Sequence, residues 1–160
     1  MRNDSERFLL NGMLGVLARK MRMLGLDAEF SADAGIVMIR YRSMAEDRIV
    51  LTKNPKLAKT LGDKAWLITG EGAWEEFQSA VPLLKMITVT IEPLSRCLDC
   101  NRRLLRVTRE QVKNSVPHYS WVNADHFMTC PACDKKYWKG THHRKMLEEI
   151  REMTEELRKE

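Results

Sequence analysis

The stretch Phe8–Asp27, FLLNGMLGVLARKMRMLGLD, decides the fold. It opens as a short apolar run from Arg7 to Leu10, breaks at the turn-forming pair Asn11-Gly12, and then changes period. Leu10, Leu14, Leu17, Met21 and Leu24 recur at helical spacing, with Arg19, Lys20 and Arg22 on the other face. Gly25 stops that helix. The alternation continues downstream. Asp27 to Phe30 reads as a brief strand, Ala34 to Met44 as a second helix, and Arg48 to Thr52 (RIVLT) as a buried-type strand rich in β-branched residues. Asn54-Pro55 places an N-cap before a proline at the first helical position and opens a helix through Leu61. Lys64 to Thr69 gives another strand and Ala73 to Ala80 another helix. Strands alternating with helices imply parallel βαβ units, hence an α/β fold built on an open parallel sheet with flanking helices.

After Val81-Pro82 the pattern breaks up, and Pro93 and Ser95 lead into a segment of different character. Its four cysteines come as two Cys-x-x-Cys pairs, Cys97/Cys100 and Cys130/Cys133, which is metal-ligand spacing and not a disulfide framework. Each pair supplies two thiolates from one turn, so two pairs complete a closed tetrahedral Zn²⁺ site. Asn101 and Asp134 follow the pairs, at the place where such a turn wants positive φ. The 29 residues between Cys100 and Cys130 exceed the common spacing of about 15 to 20. An inserted helix accounts for the excess, and Thr108-x-x-Gln111 is its capping box, with the helix running to Asn114 and a strand expected from His118 to Val122. His118, His126, His142 and His143 are read as surface or packing residues, since four thiolates already fill the coordination sphere. From Thr141 on, Met146, Ile150, Met153 and Leu157 mark an amphipathic helix, and Met13 and Met21, like Trp66 and Trp74, are assigned to packing. The expected organisation is 1–92 as the α/β domain, 93–140 as the zinc ribbon and 141–160 as a C-terminal helix.

The 160 residues carry a net charge of +5, with 44% hydrophobic and 31% charged residues, which is ordinary globular composition and makes an acidic partner the first expectation. The surplus is local: residues 1–60 and 97–140 each carry +4, whereas 61–96 carry −2 and 141–160 carry −1. Four zinc-bound thiolates would cancel about two units of this charge. The polar start from Met1 to Arg7 and the lack of a run of about 18 apolar residues predict a cytoplasmic protein with no membrane role. Arg102, Arg103, Arg106, Lys135, Lys136 and Lys139, interleaved with Tyr137 and Trp138, suit phosphate contact plus base stacking, as Arg19, Lys20, Arg22 and Lys53 suit phosphate contact in the first part.

In an open parallel sheet, ligands bind beyond the carboxyl ends of the strands, which directs attention to Asn11, Asp33 and Asn54. Here the chain resembles the PIN-related ribonuclease-like family named after the C-terminal region of the Mut-seven exonuclease. Phe8–Asp27, RIVLTKNPKLAK (Arg48–Lys59), SRCLDCNRRL (Ser95–Leu104) and CPACDKKYWKGTHHRKM (Cys130–Met146) carry the resemblance. It implies a PIN-like core, bound zinc and action on RNA, with acidic residues holding Mg²⁺ or Mn²⁺ to activate water. The family pattern has Asp where this chain has Asn11 and Asn54, and a further acidic cluster is reduced to Asp33. Each Asp-to-Asn change removes a charge that a hard divalent ion needs.

Three readings follow. The preferred one is an RNA-binding protein derived from a nuclease, with little cleavage, docked on structured RNA such as a ribosomal particle. The second is an active metal-dependent endoribonuclease using Asp33 with Asp4, Asp27 or Asp63. The third is an adaptor that binds a protein partner through the ribbon and C-terminal helix. Beside all three, Asn11 and Asn54 are also residues suited simply to capping the helices that follow them.

Overall fold

A computed structural model of the chain describes residues 6–87 and 89–160, so Asp4 lies outside the described residues. Four strands, β1 (Arg7–Asn11), β2 (Asp27–Ser31), β3 (Arg48–Thr52) and β4 (Ala65–Leu67), form a parallel sheet in the order β2-β1-β3-β4. Arg7 of β1 lies beside Asp27 of β2 and Arg48 of β3, and Val50 lies beside Ala65. Between and after the strands run α1 (Gly15–Met23), α2 (Ile36–Ala45), α3 (Pro55–Leu61) and α4 (Ala73–Met86).

The two-residue period of a strand explains why both faces are covered. Phe8, Leu10 and Leu51 point to one side, into a core shared with Leu17 and Met21 of α1 and Phe77 and Ala80 of α4. Leu9 and Val50 point to the other, where Ile39 of α2 and Leu57 of α3 meet them. The four leucines and the methionine of the opening helical repeat all end in the larger core. Met13 does not: it stands 85% exposed in the turn before α1, one residue short of that repeat.

The helix predicted to stop at Ala80 runs on to Met86, straight through Pro82. Pro82 faces solvent, while Phe77, Ala80, Val81 and Leu84 keep the i, i+3, i+4, i+7 stripe buried, so tertiary packing outweighs the lost backbone bond. Beyond it, β5 (Leu105–Val107), β6 (Phe127–Thr129) and β7 (Lys136–Trp138) form a small antiparallel sheet in that order. Between β5 and β6 lie α5 (Arg109–Val112), which carries the expected Thr108–Gln111 capping box, and α6 (His118–Asn123). The predicted strand at His118–Val122 is therefore a helix. Arg109 decides this by donating to the carbonyls of Trp121, Val122 and Ala124, which saturates the last turn, while Trp121 Nε1 donates back to Arg109 O.

The last helix, α7 (Thr141–Arg158), buries Ile150 and Met153 in the larger core against α4. Its apolar stripe is thereby used within the chain. Leu98 and Tyr137 of the cysteine-bearing segment join the same core, which is continuous from the parallel sheet to the C-terminal helix. Among the described residues no helix is long and apolar enough to cross a membrane.

Candidate functional site

The chain leaves β1 toward β2 on one side and returns to β3 on the other, so the helices diverge and open a crevice beyond the carboxyl ends of these strands. Asn11 ends β1 there, beside Ser31, and one residue past the Leu10–Leu51 pair. Its Oδ1 is buried and has no hydrogen-bond partner among the described residues. Asn54 sits at the neighbouring edge as the N-cap of α3. Its Oδ1 accepts from the amides of Lys56 at 3.0 Å and Leu57 at 3.3 Å, while its own N–H donates to Thr52 Oγ1 at 3.1 Å. With the oxygen occupied, the atom left over is the amide nitrogen, a donor. An aspartate would cap equally well and still present an anionic oxygen.

Asp33 lies exposed two residues beyond β2. The buried carboxylate of this region is one that sequence reading overlooked, Glu76 in the first turn of α4, and the clue available was an acidic pair, Glu75-Glu76, at a helix start. Lys53 Nζ pairs with Glu76 Oε1 at 2.6 Å and donates to Gly70 O at 2.8 Å, so its ammonium neutralises that acid instead of reaching outward. Gly70 turns at φ +104°, where a Cβ would lie 2.6 Å from that of Glu75. Asp27 and Asp63 stand at the wrong end of the sheet for a shared site with Asp33. Asp27 begins β2, held to Arg48 at 2.7 Å, and Asp63 lies in the short 3₁₀ turn before β4.

Among the described residues, one set of three or more metal-ligating side chains converges: Cys97, Cys100, Cys130 and Cys133, whose sulfurs all lie within 4.8 Å of one another. Tetrahedral thiolates at about 2.3 Å from an ion stand about 3.8 Å apart. The Cys97 and Cys133 sulfurs are 3.7 Å apart. The two turns repeat each other bond for bond. Cys97 N donates to Arg102 O and Cys130 N to Lys135 O; Asn101 N donates to Cys97 O and Asp134 N to Cys130 O. Asn101 and Asp134 adopt φ of +64° and +61°, the left-handed conformation for which their residue types are suited. Hydrogen bonding with Cys133, then burial and the neighbouring thiolates, pushes Cys100 up to about 12. Burial works against ionisation of Cys97 too, but the Tyr137 hydroxyl at 3.2 Å and the turn amides bring it down to about 7. Burial and the neighbouring sulfurs oppose gathering several bare thiolates here, a cost that a bound cation offsets.

A family model described as the Mut7-C RNAse domain matches residues 6–150, from the start of β1 into α7. The chain belongs to the Mut7-C RNAse domain family. No curated protein and no solved structure shows a significant match to it.

For this Mut7-C chain the expected basic surface is redistributed by ion pairing. Arg22 is 6% exposed and faces inward: it donates to the carbonyls of Ala28, Leu98 and Asp99, tying α1 to the first cysteine turn. That placement removes it from the phosphate-contacting set, because a helix covered by the cysteine segment has no solvent side there. Arg19 and Lys135 share Asp99, Lys20 meets Glu149, Arg103 meets Glu92 at 2.6 Å and Lys136 meets Asp134. Of the predicted cations, Arg102 and Lys139 have no carboxylate partner among the described residues. Arg106, predicted with them, shares that condition, as do Lys56, Lys59, Arg144 and Lys145, which were not singled out from sequence. Tyr137 turns its hydroxyl to Cys97 and Leu98, while Trp138 packs half-buried against the core of the small sheet.

Proposed function

We propose that this Mut7-C chain is an RNA-binding protein on a PIN-like core, descended from a nuclease and retaining little cleavage, with its four cysteines closed around a structural Zn²⁺ as a zinc ribbon. The reading is carried by one observation: at the switch-point crevice the two strand-end positions hold neutral amides, Asn11 with an unpartnered buried oxygen and Asn54 with its oxygen spent on a helix cap. A Mg²⁺ or Mn²⁺ ion is held mainly by carboxylates, and here Asp33 is exposed while Glu76 is already paired with Lys53. Fewer carboxylates also means less repulsion of phosphates, which favours holding RNA over cutting it. Cytoplasmic location and a structured, ribosomal-type RNA partner complete the proposal; the basic surplus of the chain supports the RNA partner, and four cysteines outside any disulfide support a reducing compartment.

The test is RNA binding and cleavage in Mg²⁺ or Mn²⁺ by the protein and by its Asn11→Asp/Asn54→Asp double variant. The expected result is salt-sensitive binding by both and metal-dependent cleavage that is faster in the variant. Equal, metal-dependent cleavage by the unaltered protein would establish the active endoribonuclease instead.

A further inference from the structure

A cavity of about 370 Å³ opens where the small antiparallel sheet meets the start of α7 and the segment at Pro93–Arg96. Its size is that of a small-molecule site, for which about 300 to 1,000 Å³ is usual. Leu94, Leu104, Met128 and Met146 give it apolar walls, and Trp138 adds an aromatic one. The polar groups are all cationic or hydrogen-bonding, and no carboxylate lines it. Lys139 carries an ammonium with no carboxylate partner among the described residues. His126 Nδ1 lies 2.9 Å from Arg106 Nη2, and because arginine only donates, Nδ1 accepts and the ring hydrogen sits on Nε2, which is thereby a donor. Ser95 Oγ is buried without a partner among the described residues. Leu94 holds φ of +57°, a strained conformation for a leucine that the surrounding packing must maintain.

These properties exclude an amine and suit a flat apolar ring attached to an anion. We infer that this cavity takes one unpaired base of an RNA strand, its ring against Trp138, with the adjoining phosphates on Lys139 and Arg106. The inference rests on the RNA-binding reading and adds to it a preference: single-stranded or bulged RNA over an uninterrupted duplex, because a paired base cannot leave its stack without cost. Burial and the neighbouring Lys139 hold the His143 imidazole below its usual value, which favours a neutral ring on this wall and leaves the phosphate contacts to Lys139 and Arg106.

The experiment measures affinity of the intact protein for a fluorescent single-stranded RNA and for the same sequence as a blunt duplex, with Met128→Trp and Leu104→Trp as cavity-filling variants from two different segments. The expected result is about tenfold tighter binding of the single strand, the worth of one base stack, lost in either filled variant while duplex affinity is kept. Retained metal content reports that the variants fold. Photocrosslinking of 4-thiouridine RNA to the unaltered protein supplies a readout that needs no variant, with adducts expected in 126–146. Equal affinity for the two RNAs, indifference of the filled variants, or adducts confined to the α3 face around Lys56 and Lys59 would overturn the cavity assignment and leave the RNA reading standing. Binding of neither RNA would overturn both.

Discussion

Asn101→Ala is expected to destabilise the chain by about 4 kcal/mol, far more than a loop substitution ordinarily does. Asn101 is 3% exposed, and its side chain bridges the first cysteine turn to the edge strand β2. Its Oδ1 accepts from Ala28 N at 3.0 Å, and Nδ2 donates to Asp27 Oδ1 at 2.8 Å and Glu29 Oε1 at 3.1 Å. Ala28 is fully buried, so its amide, once orphaned, is left without water at a cost of about 2 kcal/mol. The two donations go to carboxylates that keep other partners or solvent, and about 1 kcal/mol is a fair allowance for losing both. Alanine at φ +64° adds about 1 kcal/mol. The molecule contains its own control. Asp134 has the same turn, the same backbone bonds and φ +61°, but its side chain is 86% exposed and meets Lys136 and, more distantly, Thr129. Asp134→Ala therefore loses about 1 kcal/mol for φ and little more, because its ion pair is screened by solvent. Urea unfolding with linear extrapolation, in metal-replete protein, should separate the two variants by about 2 to 3 kcal/mol. A difference below about 1 kcal/mol would refute the claim that Asn101 couples the cysteine segment to the parallel sheet. Asn101→Gly should recover only the part due to φ, about 1 kcal/mol.

Removing the proposed zinc with a chelator should loosen the parallel sheet as well as the cysteine turns, because Leu98, inside the first turn, belongs to the larger core; faster amide exchange at Ala28 is the expected sign, and unchanged exchange there would count against it. Asn11→Leu removes a buried acceptor that has no donor among the described residues and should raise stability by about 1 kcal/mol in urea unfolding, while weakening RNA binding at the crevice. The Arg42 and Arg48 guanidiniums hold the Glu46 carboxyl down to about 2 from an ordinary 4.5. A depressed folded value means that the stability Glu46 contributes is complete above about 4.5 and fades as pH falls toward about 2. Glu46→Gln should accordingly flatten the acid limb of the stability–pH curve relative to the unaltered protein, and superimposable curves would show the pairs to be inert.

The local elements were legible because each carries its own chemistry. Asn54-Pro55 opened a helix at the expected residue, Thr108 and Gln111 closed their capping box, and the Leu14–Leu17–Met21 stripe found the core. The misreadings arose where a distant group overrode a local signal. Pro82 stays helical because its neighbours are already buried, and His118–Asn123 is a helix because Arg109, outside it, saturates its carbonyls. In the crevice, the neutral amides at Asn11 and Asn54 could be read from spacing, whereas the Glu76–Lys53 pair joins residues whose nearness no period predicts.

By itself the sequence determined the parallel α/β arrangement, the four-cysteine cluster and the neutral amides at Asn11 and Asn54, since strand and helix periods, a Cys-x-x-Cys turn and a residue's charge are all properties of a few neighbouring positions. Tertiary structure alone decided where the charge goes. Arg22 turned inward to the carbonyls of the cysteine turn, Lys53 to Glu76, and most of the predicted cations to carboxylates, because ion pairing and burial depend on which surfaces meet when the chain closes. The cavity at Trp138 has the same origin: its walls come from a linker, a small sheet and a helix start, segments that the chain separates and only packing brings to one place.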